Sequence, residues 1–176
     1  MSALAKRSLS PAPRRILDAA ATVFARYGFR RASMDAVAAE AGLSRQGLYR
    51  HFAAKDALFA AVVEDINRGA EAAAGEGAEA ARAAGKDAAS VLSALIGERF
   101  AFYAERVMGS PHAAELMEES HRLSAGIVQQ GQRDFREAIV AAIEGEMKRK
   151  TLKLKRGMSA AALADLLIVA THGVKY

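Results

Sequence analysis

Ser33-Met34-Asp35-Ala36-Val37-Ala38-Ala39-Glu40-Ala41-Gly42-Leu43-Ser44-Arg45-Gln46-Gly47-Leu48-Tyr49-Arg50-His51-Phe52 is the stretch that decides the fold. A serine hydroxyl ahead of an apolar-periodic segment accepts an orphan amide of the first helical turn. Ser33 therefore predicts a helix over 34–41, stopped by Gly42, and Ser44 predicts another over 45–51. Two short helices joined by Gly42-Leu43-Ser44 have the layout of a helix-turn-helix. Val37, Ala38, Leu43, Leu48 and Phe52 form the core-facing set, which leaves Arg45, Gln46, Tyr49 and Arg50 outward.

Upstream, Ile16, Leu17, Ala20, Val23, Phe24 and Tyr27 recur at three- and four-residue spacing, the stripe of an amphipathic first helix that Gly28 ends. Pro11 and Pro13 oppose helix before Arg14, so 1–12, with Lys6 and Arg7, is expected to be a flexible basic arm and 13–60 the DNA-binding head. Downstream, a helix from about Lys55 carries Leu58, Phe59, Val62, Val63 and Ile66, and Gly75 and Gly77 predict a break or loop beyond it. The remainder, 61–176, is expected to be a helical body. Asp87 caps a helix to about Glu105, and Ser110-Pro111 starts a short one to about Ser120. A long helix over 123–150 follows, with Ile127, Gly131, Phe135, Ile139, Ile143 and Met147 as its stripe, and Ser159 caps the last one. With almost no alternating β-branched runs, the fold class is all-α.

Charge supports the same division. Of the net +5, residues 1–60 carry ten Lys/Arg against four acids, so the rest is slightly acidic. A basic head on a near-neutral body suits a polyanionic partner. The 148–156 cluster of lysines and arginines reads more simply as a solvated link at a helix C-terminus. Without cysteine, disulfides, thiolate metal sites and cysteine nucleophiles are excluded. The N-terminus lacks the apolar segment of a signal peptide, and 160–174 is short for a membrane span and carries Asp165, so a cytoplasmic protein is expected.

Residues 15–63 resemble the DNA-binding domain of the tetracycline-repressor (TetR) family of bacterial regulators. The resemblance rests on Ile16-Leu17-Asp18-Ala19-Ala20, Phe24-Ala25-Arg26-Tyr27-Gly28-Phe29, Ala32-Ser33-Met34-Asp35-Ala36-Val37-Ala38, Ala41-Gly42-Leu43-Ser44 and Gly47-Leu48-Tyr49-Arg50-His51-Phe52, with Lys55 after them. It implies that 61–176 is a helical ligand-binding and dimerisation domain of variable sequence, which forms a ligand cavity and a dimer interface, usually through the last two helices. Ala54 departs from the serine that often caps the fourth helix, and the chain ends early for the family.

On this reading the partner is a double-stranded DNA operator, approximately palindromic, bound by a homodimer. Arg45 and Gln46 suit base edges, since Arg pairs with guanine and Gln with adenine. Tyr49 and Lys55 suit phosphates; Arg14, Ser33, Ser44, Arg50 and His51 complete the expected DNA-contact set. Ser33 and Ser44 are equally explained as caps. A sequence-tolerant, nucleoid-associated helical protein is the alternative.

For the body, Phe100, Phe102, Tyr103, Met108, His112, Met117, His121, Phe135 and His172 are the candidate pocket residues. They suggest a small, mostly apolar ligand held by one or two polar anchors. Glu118-x-x-His121, with His112 and Glu115 nearby, has the spacing of half a di-iron site, but there is no second copy, so neither metal nor cofactor is expected. No phosphate loop or nucleophile constellation is present, which argues against an enzyme.

Overall fold

The computed structural model describes residues 11–173, with side chains for 14–171. The basic-arm residues Lys6 and Arg7, and the side chain of His172, lie outside the described residues. Among the described residues seven α-helices follow one another: α1 Pro11–Arg31, α2 Met34–Glu40, α3 Arg45–Tyr49, α4 Lys55–Ala83, α5 Ala88–Tyr103, α6 Ala113–Lys148 and α7 Ala160–Gly173. A π-helical turn, Ala104–Met108, follows α5. The described residues form two compact units. One runs to Ile66 and also takes in Arg106–Val128; the other comprises Asn67–Glu105 and the chain from Gln129.

In the first unit α1 buries Ile16, Leu17, Ala20, Val23 and Phe24, and α2 and α3 add Val37, Ala38 and Leu48. Leu58, Phe59 and Val62 of α4 complete the cluster, with Leu116 of α6 against it. The caps are where the sequence puts them: Ala36 N–H donates to Ser33 Oγ at 3.1 Å, and Gly47 N–H to Ser44 Oγ at 3.0 Å. Gly42 supplies the left-handed residue, φ 63°, between the two short helices. The second unit buries Ala74 and Ala78 of α4, Val91 and Leu95 of α5, Ile139 and Ile143 of α6, and Ala164 of α7.

Four boundaries differ from the sequence reading. First, α1 begins at Pro11 rather than Arg14, because proline opposes helix only where its missing N–H is needed, and the first turn needs none. Second, α4 runs unbroken through Gly75 and Gly77. Alanines 70, 74 and 78 hold one buried face through this stretch, and Gly77 lets that face approach the Ala94 carbonyl and Glu98 of α5. Third, the expected pair of helices from Ser110 to Lys150 is a single α6 with a kink at Ser124 (φ −134°, ψ 27°). Fourth, α3 is shorter than expected and ends at Tyr49.

The stripe of α6 also drifts. Spacing four overshoots the helical repeat by about 40° per step. Phe135, Ile139 and Ile143 are therefore buried, but Met147 has rotated into solvent and Glu146 takes the inward position at 2% exposure. Its carboxylate accepts from Arg82 Nε at 2.8 Å, Thr151 Oγ at 2.6 Å and Arg149 Nη1 at 3.2 Å. The bond from Arg82, followed by that from Thr151, holds the Glu146 carboxyl below the usual range.

Glu146→Gln is expected to destabilise the chain by about 1–3 kcal/mol at neutral pH, because the Arg82 partner stays behind. Urea titrations across pH check the cause. A carboxyl with a lowered folded-state value contributes fully above its unfolded value of about 4.3, and the contribution is lost as pH falls through the folded value. The gap between parent and variant should therefore close in acid; a gap that stays constant would mean the charge of Glu146 is immaterial.

Candidate nucleic-acid interface

The left-handed turn at Gly28 organises one side of the head. Its backbone (φ 76°, ψ 164°) breaks α1, and a β-carbon there would collide with the Glu115 carboxylate. Phe29 then turns inward, with ring centroids 5.9 Å from Phe24 and 4.9 Å from Phe59. The carbonyls of this last turn point at Lys55, whose ammonium donates to Phe29 O at 2.8 Å, Ala32 O at 3.0 Å and Arg30 O at 3.3 Å. It also lies 4.5 Å from the Phe29 ring centroid.

All three donors of Lys55 are thus occupied by backbone carbonyls, which leaves none for a phosphate. In this structure Lys55 fastens the start of α4 to the end of α1. Arg15 does the same elsewhere, donating from Nε and Nη2 to Ala41 O at 3.1 and 2.9 Å. Arg14 is exposed but paired with Asp18 at 3.2 Å and Asp65 at 3.1 Å.

On α3 the exposed residues are Arg45, Gln46 and Tyr49, with Arg50 exposed at its C-cap, set on the fully buried Leu48. His51 is exposed in the turn that follows. Arg45 Nη1 donates to Asp35 of α2 at 2.9 Å, and its guanidinium carbon lies 5.5 Å from the Tyr49 ring centroid. Both contacts are at the surface, where an ion pair is worth little and exchanges readily for another anion. Ser33 and Ser44 are exposed; each accepts an amide and keeps its own O–H. Arg45, Gln46, Tyr49, Arg50, Ser33 and Ser44 are therefore brought to the exposed surface of the two-helix motif, while Arg14 and Lys55 are engaged elsewhere.

Residues 16–62 match the profile of the bacterial regulatory proteins of the tetR family. This chain carries the N-terminal domain of the tetR family. An HTH-type transcriptional repressor of Mycobacterium tuberculosis is 38% identical over 78 residues, 44% of this chain and 42% of that protein. The A-factor receptor protein of Streptomyces griseus is 40% identical over 52 residues, 30% of this chain and 19% of the receptor. These matches span less than half of either relative. The crystal structure of a TetR family transcriptional regulator from Thermus thermophilus superposes with a TM-score of 0.61 at 21% identity, over 90% of this chain and 83% of that one. The likeness in fold extends well beyond the tetR-family head.

A further part of the first unit comes from α6 and the segment just before it, and is not evident in the sequence. Arg30 N–H donates to Glu115 Oε1 at 2.8 Å, and Ser110 Oγ donates to Ala25 O at 2.7 Å. Glu119, 4% exposed, accepts from Arg122 at 2.7 Å and from Arg30 at 3.3 Å. The Arg122 bond, with a smaller part from Arg30, holds its carboxyl below the ordinary range. The Glu115 and Glu118 carboxylates, weighed above as half a metal site, face Arg30 instead, and His112 lies 3.8 Å from Glu115. Among the described residues no group of three or more His, Asp and Glu side chains is arranged to hold a metal. No helix among them is long and apolar enough to cross a membrane.

The candidate pocket residues divide between the units. Met108, His112, Met117 and His121 belong to the first, where Met108 and Met117 are 59% and 39% exposed. Phe100, Phe102, Tyr103 and Phe135 belong to the second, where Phe100 is turned to solvent while Tyr103 and Phe135 flank a buried Arg99. Arg99 was missed because a stripe reading counts only apolar residues. It stands four beyond Leu95 and eight beyond Val91, on the same face.

Lys55→Met is expected to lower head stability by about 1–3 kcal/mol, since it orphans three carbonyls at the end of α1. Urea denaturation measures this; unchanged stability would mean those carbonyls are satisfied by water.

Proposed function

We propose that the chain is a sequence-specific DNA-binding transcription regulator, a ligand-responsive repressor that binds a palindromic operator as a homodimer in the bacterial cytoplasm. The observation that carries this reading is the exposed row Arg45, Gln46, Tyr49 and Arg50 on a capped short helix, within the segment that matches the tetR family. Arg45 and Gln46 would read base edges in the major groove, and Tyr49, Arg50, Ser33 and Ser44 would set register on phosphates. A helix as short as α3 reads only a few base pairs. Two copies, with recognition helices about 34 Å apart in successive grooves, supply the rest.

For the pairing surface, α7 offers Leu166 and Val169, 56% and 68% exposed, on a mostly apolar helix. A ligand that prefers a body conformation in which the paired heads no longer match the groove spacing must weaken DNA binding by the same factor that DNA weakens the ligand. Helix α4 runs through both units and is the proposed link. The A-factor receptor, as a named receptor among the relatives, supports the ligand-responsive part.

Selection of binding sites from a random duplex library tests the reading, and an inverted repeat is the expected product. Arg45→Ala and Gln46→Ala should each lose about 1–3 kcal/mol of discrimination at particular base pairs. Lys55→Met should leave the salt slope of binding unchanged, whereas a phosphate contact would reduce it by about one. Survival of random sequence without enrichment would favour a sequence-tolerant binder.

A further inference from the structure

In the second unit, Arg99 of α5 is 7% exposed and has no carboxylate within ion-pair distance among the described residues. Its guanidinium lies against two rings, with its central carbon 5.1 Å from the Tyr103 centroid and 4.3 Å from that of Phe135. Nη2 donates to the Gly131 carbonyl at 3.4 Å, a long bond, and Nη1 is buried with no acceptor. A buried cation with an idle donor is costly unless something completes it.

The other acids near Arg99 do not fill that role. Glu71 of α4 is raised above the ordinary carboxyl range by burial first and by the charge of Asp134 second, against the opposing pull of Arg99 and Arg68. It is itself short of compensation. Tyr103 spends its hydroxyl proton on Asn67 Oδ1 at 2.5 Å, and burial raises its phenol. The site is also shaped by close backbone approach: a β-carbon on Gly131 would press on the Asn67 amide, and one on Gly69 would strike the Phe102 ring.

We propose that Arg99 anchors the carboxylate of an amphiphilic monocarboxylic effector, whose apolar part lies against the Tyr103 and Phe135 rings. A planar carboxylate matches the free edge of a guanidinium already packed against two rings. A dianionic phosphate would add a second charge beside Glu71 and Asp134, so a monoanion is favoured. Tyr103 is only partly buried, and the proposal requires its ring to move for the carboxylate to reach Nη1. This assignment rests on the ligand-responsive reading above and names the chemistry of its ligand.

The test is isothermal titration of the full chain with decanoate and 4-phenylbutyrate, each against its alcohol, decanol and 4-phenylbutanol, with octyl phosphate alongside. At least one acid is expected to bind tenfold or more tighter than its alcohol and tighter than octyl phosphate. Arg99→Met should erase that preference while the free protein melts no lower than the parent, since the variant removes an incompletely paired buried charge. Should Arg99→Met fail to fold, Arg99→Lys decides: it keeps the charge, loses the fork, and should lose at least tenfold in acid affinity. Equal binding of acids and alcohols by the parent, no binding of either, preferred binding of the phosphate, or an acid preference that survives both substitutions overturns the assignment. Operator selection is run without any carboxylate. An enriched inverted repeat with no acid preference removes only the Arg99 anchor, whereas acid preference without an enriched site removes the regulator reading.

Discussion

The positive-φ turn at Gly28 is the constraint on which the head depends. An L side chain at that position would be strained by φ 76° and would also meet the Glu115 carboxylate, so sterics and backbone conformation select the same residue. Three consequences follow from the one turn. Phe29 returns to the core against Phe24 and Phe59, the carbonyls of residues 29, 30 and 32 are presented to Lys55, and the amide of Arg30 is left for Glu115. The end of α1 is thereby tied to α4 by a cation and to α6 by an anion.

This arrangement explains why a strongly basic segment exposes fewer free cations than its composition implies. Lys55 and Arg15 are spent on helix-end carbonyls, Arg14 on Asp18 and Asp65, and Arg30 on Glu118 and Glu119. On and just after α3 stand two exposed cations, Arg45, which shares Asp35, and Arg50, with Gln46 and Tyr49 between them, and Arg31 is exposed at the end of α1. Part of the head's charge builds the platform, and a smaller part is offered outward.

The helix-turn-helix was legible because its signals are local: Ser33, Gly42 and Ser44 each act within four residues, and Leu48 fixes the buried side of α3. The unbroken α4 was not legible, because glycine propensity is local while the packing of Ala70, Ala74 and Ala78 that overrides it is tertiary. The roles of Lys55 and Arg99 were hidden for a related reason. Sequence shows that a residue is cationic, but only the fold shows whether carbonyls or aromatic rings surround it. Glu146 illustrates the same limit for anions, buried and paired with Arg82, which is distant in sequence.

The proposed account makes the head a preassembled reader whose affinity comes from pairing. Hydroxyl-radical footprinting of the full chain on its enriched duplex tests that claim most directly. Two protected patches on one face of the helix, their centres about one turn or 34 Å apart, are the predicted result. A single short patch, or protection spread evenly along the duplex, would contradict it.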